Sequence, residues 1–365
     1  MVKKLIFLCG ARDFHAYDWY SEVKKIYPGQ IEIFTDMIAS EGFDKLVNNS
    51  DKIKNLFIID SLLLSKQGKL SDLWRNIIKV IVLPLQVFLL RRYIKKENCN
   101  YIVHCHAMYY IVLAYLAGID YVSTTQGSEL LIRAKKSFFY KYFSSKALIG
   151  SKSILVDSKK LKDEIYNNIN RDALIIQNGV DTKSCLSYTN NLTVRDIILS
   201  NRSITELYNI KDLIVSRNKS FSNFPIEFIY PQYDNVYLSA CIQLSRHNDK
   251  FHGRLNKNDM YDLLFQTKIV FSIPSSDSSP RSVYEAIFCG CIVCIADNSY
   301  YYDMPNSMRC RIVIVDFSNK DWFQQAIDKA IELSQNQFLP CDRAINKFDI
   351  NHSMKTVVDN IYLNF

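Results

Sequence analysis

The chain has 365 residues, 48% of them hydrophobic and 22% charged, which excludes a disordered chain and fits two globular domains with a core each. Lysine and arginine number 45 against 37 acidic residues, a formal net charge of +8 that favours anionic partners. The basic residues are scattered and form no recognised nucleic-acid module, so nucleotide phosphates and anionic lipid fit better than nucleic acid.

The opening MVKK leads into too few apolar residues for a secretory leader. A cytoplasmic protein is expected. Its ten cysteines then read as reduced thiols. The cluster CGCIVC at 289–294 reads as small hydrophobes around a buried strand, since no second pair of metal ligands accompanies it.

Taken in order, residues 4–9 form a first strand, and GARDFHAYDWY follows, opening a helix to about residue 26. A loop after the first strand of an α/β domain lies at the carboxyl edge of its sheet, where ligands bind. Gly10, Arg12, Asp13 and His15 are therefore candidate ligand contacts, histidine being the residue type best suited to take a proton near neutral pH. Strands are expected at 31–35 and 56–60. Residues 74–96 (WRNIIKVIVLPLQVFLLRRYIKK) form a greasy helix whose apolar core, 80–90, is too short to span a bilayer. Its basic end, with Arg91, Arg92, Lys95 and Lys96, suits an anionic membrane face.

Residues 101–107 (YIVHCHA) read as a strand that places His104 and His106 on one face, a pair that permits a metal but lacks a third ligand. Residues 121–130 (YVSTTQGSEL) give the next strand, residues 135–146 a basic amphipathic helix, and SILVDSKKLKDEI a strand, an N-cap at Ser158 and a helix. Asn-Gly in LIIQNGVDT, 174–182, marks a turn, and the polar stretch 185–196 reads as the linker between domains. Strands at 197–199 and 226–231 follow. The strand end KFHGRL at 250–255 precedes a helix at 258–265.

The richest stretch is IVFSIPSSDSSPRSVYEAIFCGCIVCIAD, residues 269–297. It reads as strand, polar turn, helix and strand, with Ser279 as N-cap, Pro280 at the first helical position and Gly290 just past the helix end. The amides of Arg281 and Ser282 then face a crevice suited to a diphosphate. Two acids, Asp277 and Glu285, flank the same turn. Acids beside phosphate serve better as acceptors from hydroxyl groups, and a ligand with both phosphates and hydroxyls is a nucleotide sugar. Residues 311–316, 321–334 and 353–363 complete the pattern as strand, helix and helix, and the alternation demands parallel sheets.

The pattern S-D-x-x-P-x-S-x-x-E-A-x-x-x-G at residues 276–290 resembles the donor-site signature of glycosyltransferase family 4. The resemblance implies the GT-B fold, an α/β architecture of two Rossmann-like domains facing across a cleft. Residues 1–184 would form the acceptor-side domain and 185–345 the nucleotide-sugar domain, with a helix at 346–365 crossing back to the first. Asp277 would hold the donor's sugar hydroxyls and Glu285 its ribose. Arg202, after the first strand of the second domain, would reach the diphosphate. The lysine that usually follows is missing, and Arg281 is the candidate substitute. Ser279 and Ser282 would line the donor site, and Gly253 would lie beside the base. Gln126 stands where the family has histidine and Glu129 keeps its acid, both as donor contacts.

The implied activity is retaining transfer of a sugar, of hexosyltransferase type, from a UDP- or GDP-sugar to a saccharide hydroxyl, with no cofactor and no metal. No two aspartates stand two apart anywhere in the chain, so the D-x-D metal motif of the other glycosyltransferase fold is missing. The family's acceptors include lipid-linked sugars of surface polysaccharide assembly, such as O-antigen or capsule. The greasy basic helix would place such an enzyme peripherally on the inner face of the cell membrane. A nucleotide-sugar epimerase and a catalytically degenerate scaffold subunit share the fold and stand as alternatives.

Overall fold

The computed structural model describes residues 2–10, 14–35, 52–55, 69–96, 100–187, 195–221 and 224–365. They form two compact units, Met1–Asn178 with Asn351–Phe365, and Gly179–Ile350. Arg12, Asp13 and the strand expected at 56–60 lie outside the described residues.

The sheet of the first unit comprises β1 (Lys4–Leu8), β2 (Ile31–Thr35), β3 (Lys52–Asn55), β4 (Tyr101–His106), β5 (Tyr121–Thr124), β6 (Ser153–Val156) and β7 (Leu174–Ile175). All neighbours are parallel, in the order β3-β2-β1-β4-β5-β6-β7. β1 and β4 are almost continuously buried, as strands covered by helices on both faces must be.

Helix Lys69–Lys96 is longer than the sequence pattern indicates, and by length and composition it is apolar enough to cross a membrane. One side is nonetheless a soluble helix face. Ile78, Val82, Gln86, Leu90 and Ile94 recur every four residues and are buried, and Gln86 accepts a 2.6 Å bond from Tyr109. Pro84 falls on the exposed side, where the carbonyl it leaves unpaired can meet solvent. Arg91 does not point its charge at a partner surface: it donates to the carbonyls of Leu116 and Ala117 and so caps helix Met108–Ala117.

The expected basic helix 135–146 is broken. Ser137 takes an extended conformation and caps a new helix, Phe138–Ile149, by accepting from the amide of Tyr140. At the carboxyl end of the chain, helix Ile350–Val357 continues into the wider turn Val358–Tyr362, and Tyr362 hydrogen-bonds Nδ1 of the buried His104. Thr124 meets His104 Nε2 at 2.8 Å. His106 lies beside it, ring centroids 4.7 Å apart, packed on Phe7 and Trp19. No group of three or more metal-ligating side chains occurs among the described residues.

Burial holds the His104 pKa down at about 3, and burial with the neighbouring histidine lowers His106 as well. Both rings are therefore neutral in the fold, while the unfolded chain binds protons below about pH 6.5. Stability is full above that value and is lost as pH falls from there towards 3. Unfolding midpoints measured from pH 7 to 5 should hold to about pH 6.5 and then drop by an amount equivalent to about 1.4 kcal/mol per pH unit per histidine. A midpoint flat down to the carboxylate range would contradict this.

The second unit repeats the plan with β8 (Ile197–Ser200), β9 (Ile226–Ile229), β10 (Lys250–Gly253), β11 (Thr267–Ser272), β12 (Ile292–Ile295) and β13 (Ile312–Ile314). The order is β10-β9-β8-β11-β12-β13, again all parallel. The stretch expected as a linker is partly core: residues Thr182–Ser187 are helical, Cys185 is buried, and Asp181 caps the turn by accepting from Ser184. Val180 exchanges backbone bonds with Phe348 and Ile350. A Cβ on Gly179 would lie 2.5 Å from the Ile350 backbone, which explains the glycine of the Asn-Gly-Val-Asp sequence by close approach. The expected strand 311–316 shortens to three residues, and Arg311 instead donates to the carbonyls of Gly290 and Asn336. All nine described cysteines are free thiols.

Candidate active site

The strand order of the second sheet reverses between β8 and β11, and ligands of open parallel sheets bind outside the carboxyl ends at such a point. From β11 the chain passes through PSSDSSP into helix Arg281–Phe288, whose residues 283–288 are all buried. That burial fixes the helix. Its first amides lack intrahelical partners and carry the positive end of the dipole.

Arg202, two residues past β8, reaches this turn. Its Nη1 donates to Ser282 Oγ at 2.6 Å, and its Nη2 pairs with Asp277 Oδ2 at 2.5 Å. Its guanidinium lies over the Tyr208 ring, 4.5 Å from the centroid. The three residues that sequence reasoning assigned to the diphosphate and sugar thus meet at one point. Asp277 is further fixed by the Ser278 amide at 2.8 Å, and the Asp277 amide itself donates to Asn298.

Glu285 is only 6% exposed. Its Oε1 accepts from the Tyr261 hydroxyl at 3.3 Å and lies 3.4 Å from Arg281 Nε, one helical turn away. Arg281, the candidate for the missing basic residue, is thus drawn towards Glu285 by their i,i+4 spacing. Ser279 is not the N-cap. The cap position is taken by Pro280 in an extended conformation, and Ser279 Oγ lies 3.2 Å from the Tyr284 hydroxyl. Gly290 does take a positive φ of 86° just past the helix. Gly253 ends β10 at φ 70°, with open space where a Cβ would stand, and its carbonyl accepts from Tyr230. Beside it His252 and Lys250 both bond Glu227, at 2.6 and 2.8 Å; burial raises the Glu227 carboxyl, but these bonds outweigh it and lower the pKa.

Sequence reasoning missed four neighbours. Asn201 donates to the Ser282 carbonyl, and its Oδ1 is buried without a protein partner, as is Arg202 Nε. Asn298, past β12, bonds the Asp277 amide and the Pro274 carbonyl. Tyr300 is buried with its hydroxyl unsatisfied, and burial together with the Asp277 charge raises its pKa. Tyr261 holds Glu285. Only Asn201, adjacent to Arg202, carried a positional signal; the others come from distant segments.

The remaining candidates lie in the first unit. Gly10 follows β1, where an added Cβ would lie 3.1 Å from the Tyr110 hydroxyl, and His15 is exposed in the first turn of helix Phe14–Ile26. Glu129 is buried and its two oxygens accept the amides of Met108, at 2.8 Å, and of Gln126, at 3.1 Å. Those bonds make it a backbone-positioning residue. They hold the entry to helix Met108–Ala117, where Ala107 adopts a φ of 72°.

No family model matches the chain, and no curated protein matches it. Solved structures do. HepE of Anabaena, in complex with UDP and glucose, superimposes with a TM-score of 0.73 at 12% identity, covering 98% of this chain and 99% of that one. A glycosyltransferase from Rickettsia africae gives 0.70 at 17% identity, over 100% and 98% of the two chains. Sucrose-phosphate synthase from Thermosynechococcus elongatus gives 0.74 at 11%, over 99% and 98%. The fold is therefore GT-B, shared along the whole chain with glycosyltransferases.

Proposed function

We propose that the chain is a retaining, family 4-type glycosyltransferase of the hexosyltransferase kind, which moves a sugar from a nucleotide diphosphate sugar to a hydroxyl of a saccharide acceptor. The observation that carries this reading is the meeting of Arg202, Asp277 and Ser282 below the N-terminus of helix Arg281–Phe288. The UDP bound in the Anabaena HepE structures supports a uridine donor over a guanosine one.

In this reading the donor diphosphate lies against the amides of Arg281 and Ser282 and takes the Arg202 guanidinium as a counter-charge. Asp277, relieved of Arg202, accepts from the sugar hydroxyls. Glu285 accepts from the ribose, held in place by Tyr261. As the bond from the anomeric carbon to the phosphate oxygen breaks, negative charge grows on the leaving diphosphate, and Arg202 with the helix dipole meets it. The acceptor oxygen bonds the anomeric carbon on the same face, and its proton leaves with the departing phosphate. The charge on the diphosphate is thereby met by side chains and amides, so no metal is required. Gly10 and His15, with Arg12 and Asp13, serve the acceptor side, and Gln126 and Gly253 flank the donor.

The acceptor in this proposal is lipid-linked, as in bacterial surface polysaccharide synthesis, and the protein works on the cytoplasmic face of the membrane. The support is the outer side of helix Lys69–Lys96, where Leu73, Ile77, Val80, Ile81 and Phe88 are exposed in one stripe. The test is incubation with UDP-hexoses and a lipid-linked saccharide extract, with the product's anomeric configuration read by NMR. Transfer with retention is expected. Donor consumed to a stereoisomeric nucleotide sugar without acceptor would replace transfer by epimerisation.

A further inference from the structure

We propose that residues 130–149 of the first unit form a second membrane-contacting element, which inserts aromatic side chains among anionic phospholipids. The inference extends the membrane side of the function proposed above and does not depend on the donor site. Phe138 and Phe139 are 78% and 74% exposed, and Tyr142, Phe143, Ile132 and Ile149 are exposed with them. Helix Phe138–Ile149 buries only Ser144, Ala147 and Leu148, so most of its apolar side chains have no place in the core. Exposed aromatic clusters of this size need an occupant.

Charge identifies the occupant as a lipid surface. Between residues 130 and 149 the chain carries Arg133, Lys135, Lys136, Lys141 and Lys146 and no acidic residue. Protein interfaces are depleted in lysine at their centres. An aromatic row interleaved with lysine is instead the composition of a helix lying in a bilayer interface, rings among the acyl chains and ammonium groups at the phosphates. Behind Phe138 lies a groove of about 440 Å³ with Leu130, Leu148, Ile165 and Ile169 in its apolar lining and Lys135 and Lys141 among its polar residues. Its one acid, Glu164, accepts from Asn168. An acyl chain whose phosphate meets the two lysines fits this lining.

The element also has a neighbour of the same kind. Helix Met108–Ala117 packs against both Phe138–Ile149 and Lys69–Lys96, so the two exposed apolar stripes flank one buried helix.

The experiment is flotation of the full-length protein with vesicles of phosphatidylcholine alone and of phosphatidylcholine mixed equally with phosphatidylglycerol. Binding to the mixed vesicles that weakens with added salt is expected. Lys135→Gln/Lys136→Gln/Lys141→Gln should weaken it by about fivefold per charge removed, and Phe138→Ser/Phe139→Ser by more than tenfold. Val80→Ser/Phe88→Ser, on the neighbouring helix, is the comparison. A wild type that ignores mixed vesicles overturns the proposal. So does retention of full binding by the Phe138/Phe139 variant when the Val80/Phe88 variant loses it. UDP-induced stabilisation, measured on each variant, separates the two readings: vesicle binding with no nucleotide binding removes the transferase and leaves the docking element standing.

Discussion

Asp249→Ala is expected to destabilise the second unit by about 3–5 kcal/mol, the usual consequence of removing one partner of a buried ion pair. The side chains of Arg217 and Asp249 are both wholly buried, with Arg217 Nη1 2.7 Å from Asp249 Oδ1. The carboxylate also accepts the amides of Ile226 and Arg246, each at 2.9 Å. Burial pushes its pKa up, but these bonds outweigh burial and hold it below the usual carboxylate range. Truncating the acid strands the buried guanidinium of Arg217, on helix Ile210–Lys219, and strips two amides of their acceptor. Chemical unfolding measures the loss. The double change Arg217→Met/Asp249→Leu should cost less than the single one, because no charge is left unpaired. A single variant as stable as wild type would mean that water reaches the pair.

Arg202→Ala should weaken UDP binding by about 10- to 150-fold, the range of a lost charge-assisted bond worth about 1.5–3 kcal/mol. The effect on turnover should be larger, about 10²–10³-fold in kcat, because the interaction grows as the diphosphate leaves. Arg202→Lys keeps the charge but cannot span Ser282 and Asp277 together, so it should recover part of the binding and little of the rate. Calorimetry for UDP and release of UDP from the donor are the two readouts. Weaker UDP binding with kcat unchanged would assign Arg202 to ground-state binding alone.

Much of the fold was legible because its signals are local. Alternating buried runs and helical stretches announced two parallel sheets, and the turn at 274–280 followed by a buried helix marked the ligand end of the second. Arg202 and Asp277 were readable as two residues serving one donor, at its diphosphate and at its sugar hydroxyls, though not as an ion pair. What failed was contextual. Ser279 looked like a cap, but Pro280 held the cap position in an extended conformation. Glu129 was readable as an acid after β5, but not as the acceptor for the amides of Met108 and Gln126. Asn298 and Tyr300, in the segment after β12, and Tyr261, on helix Lys257–Gln266, meet the turn from outside it, and the Arg217–Asp249 pair joins residues 32 apart, so no window of sequence shows them. The first three residues of the linker expected at 185–196 belong to helix Thr182–Ser187, because a small buried cysteine in a polar stretch carries no periodicity.

The central claim is that the turn between β11 and helix Arg281–Phe288 holds a nucleotide diphosphate sugar. Thermal unfolding of wild type and Glu285→Ala with UDP-, GDP-, ADP- and CMP-sugars tests it most directly. One nucleotide class, expected to be UDP, should stabilise the wild type by about 2.7 kcal/mol at one hundred times its dissociation constant, and the variant should lose that gain. No shift with any sugar nucleotide, or the same shift in both proteins, would contradict the claim.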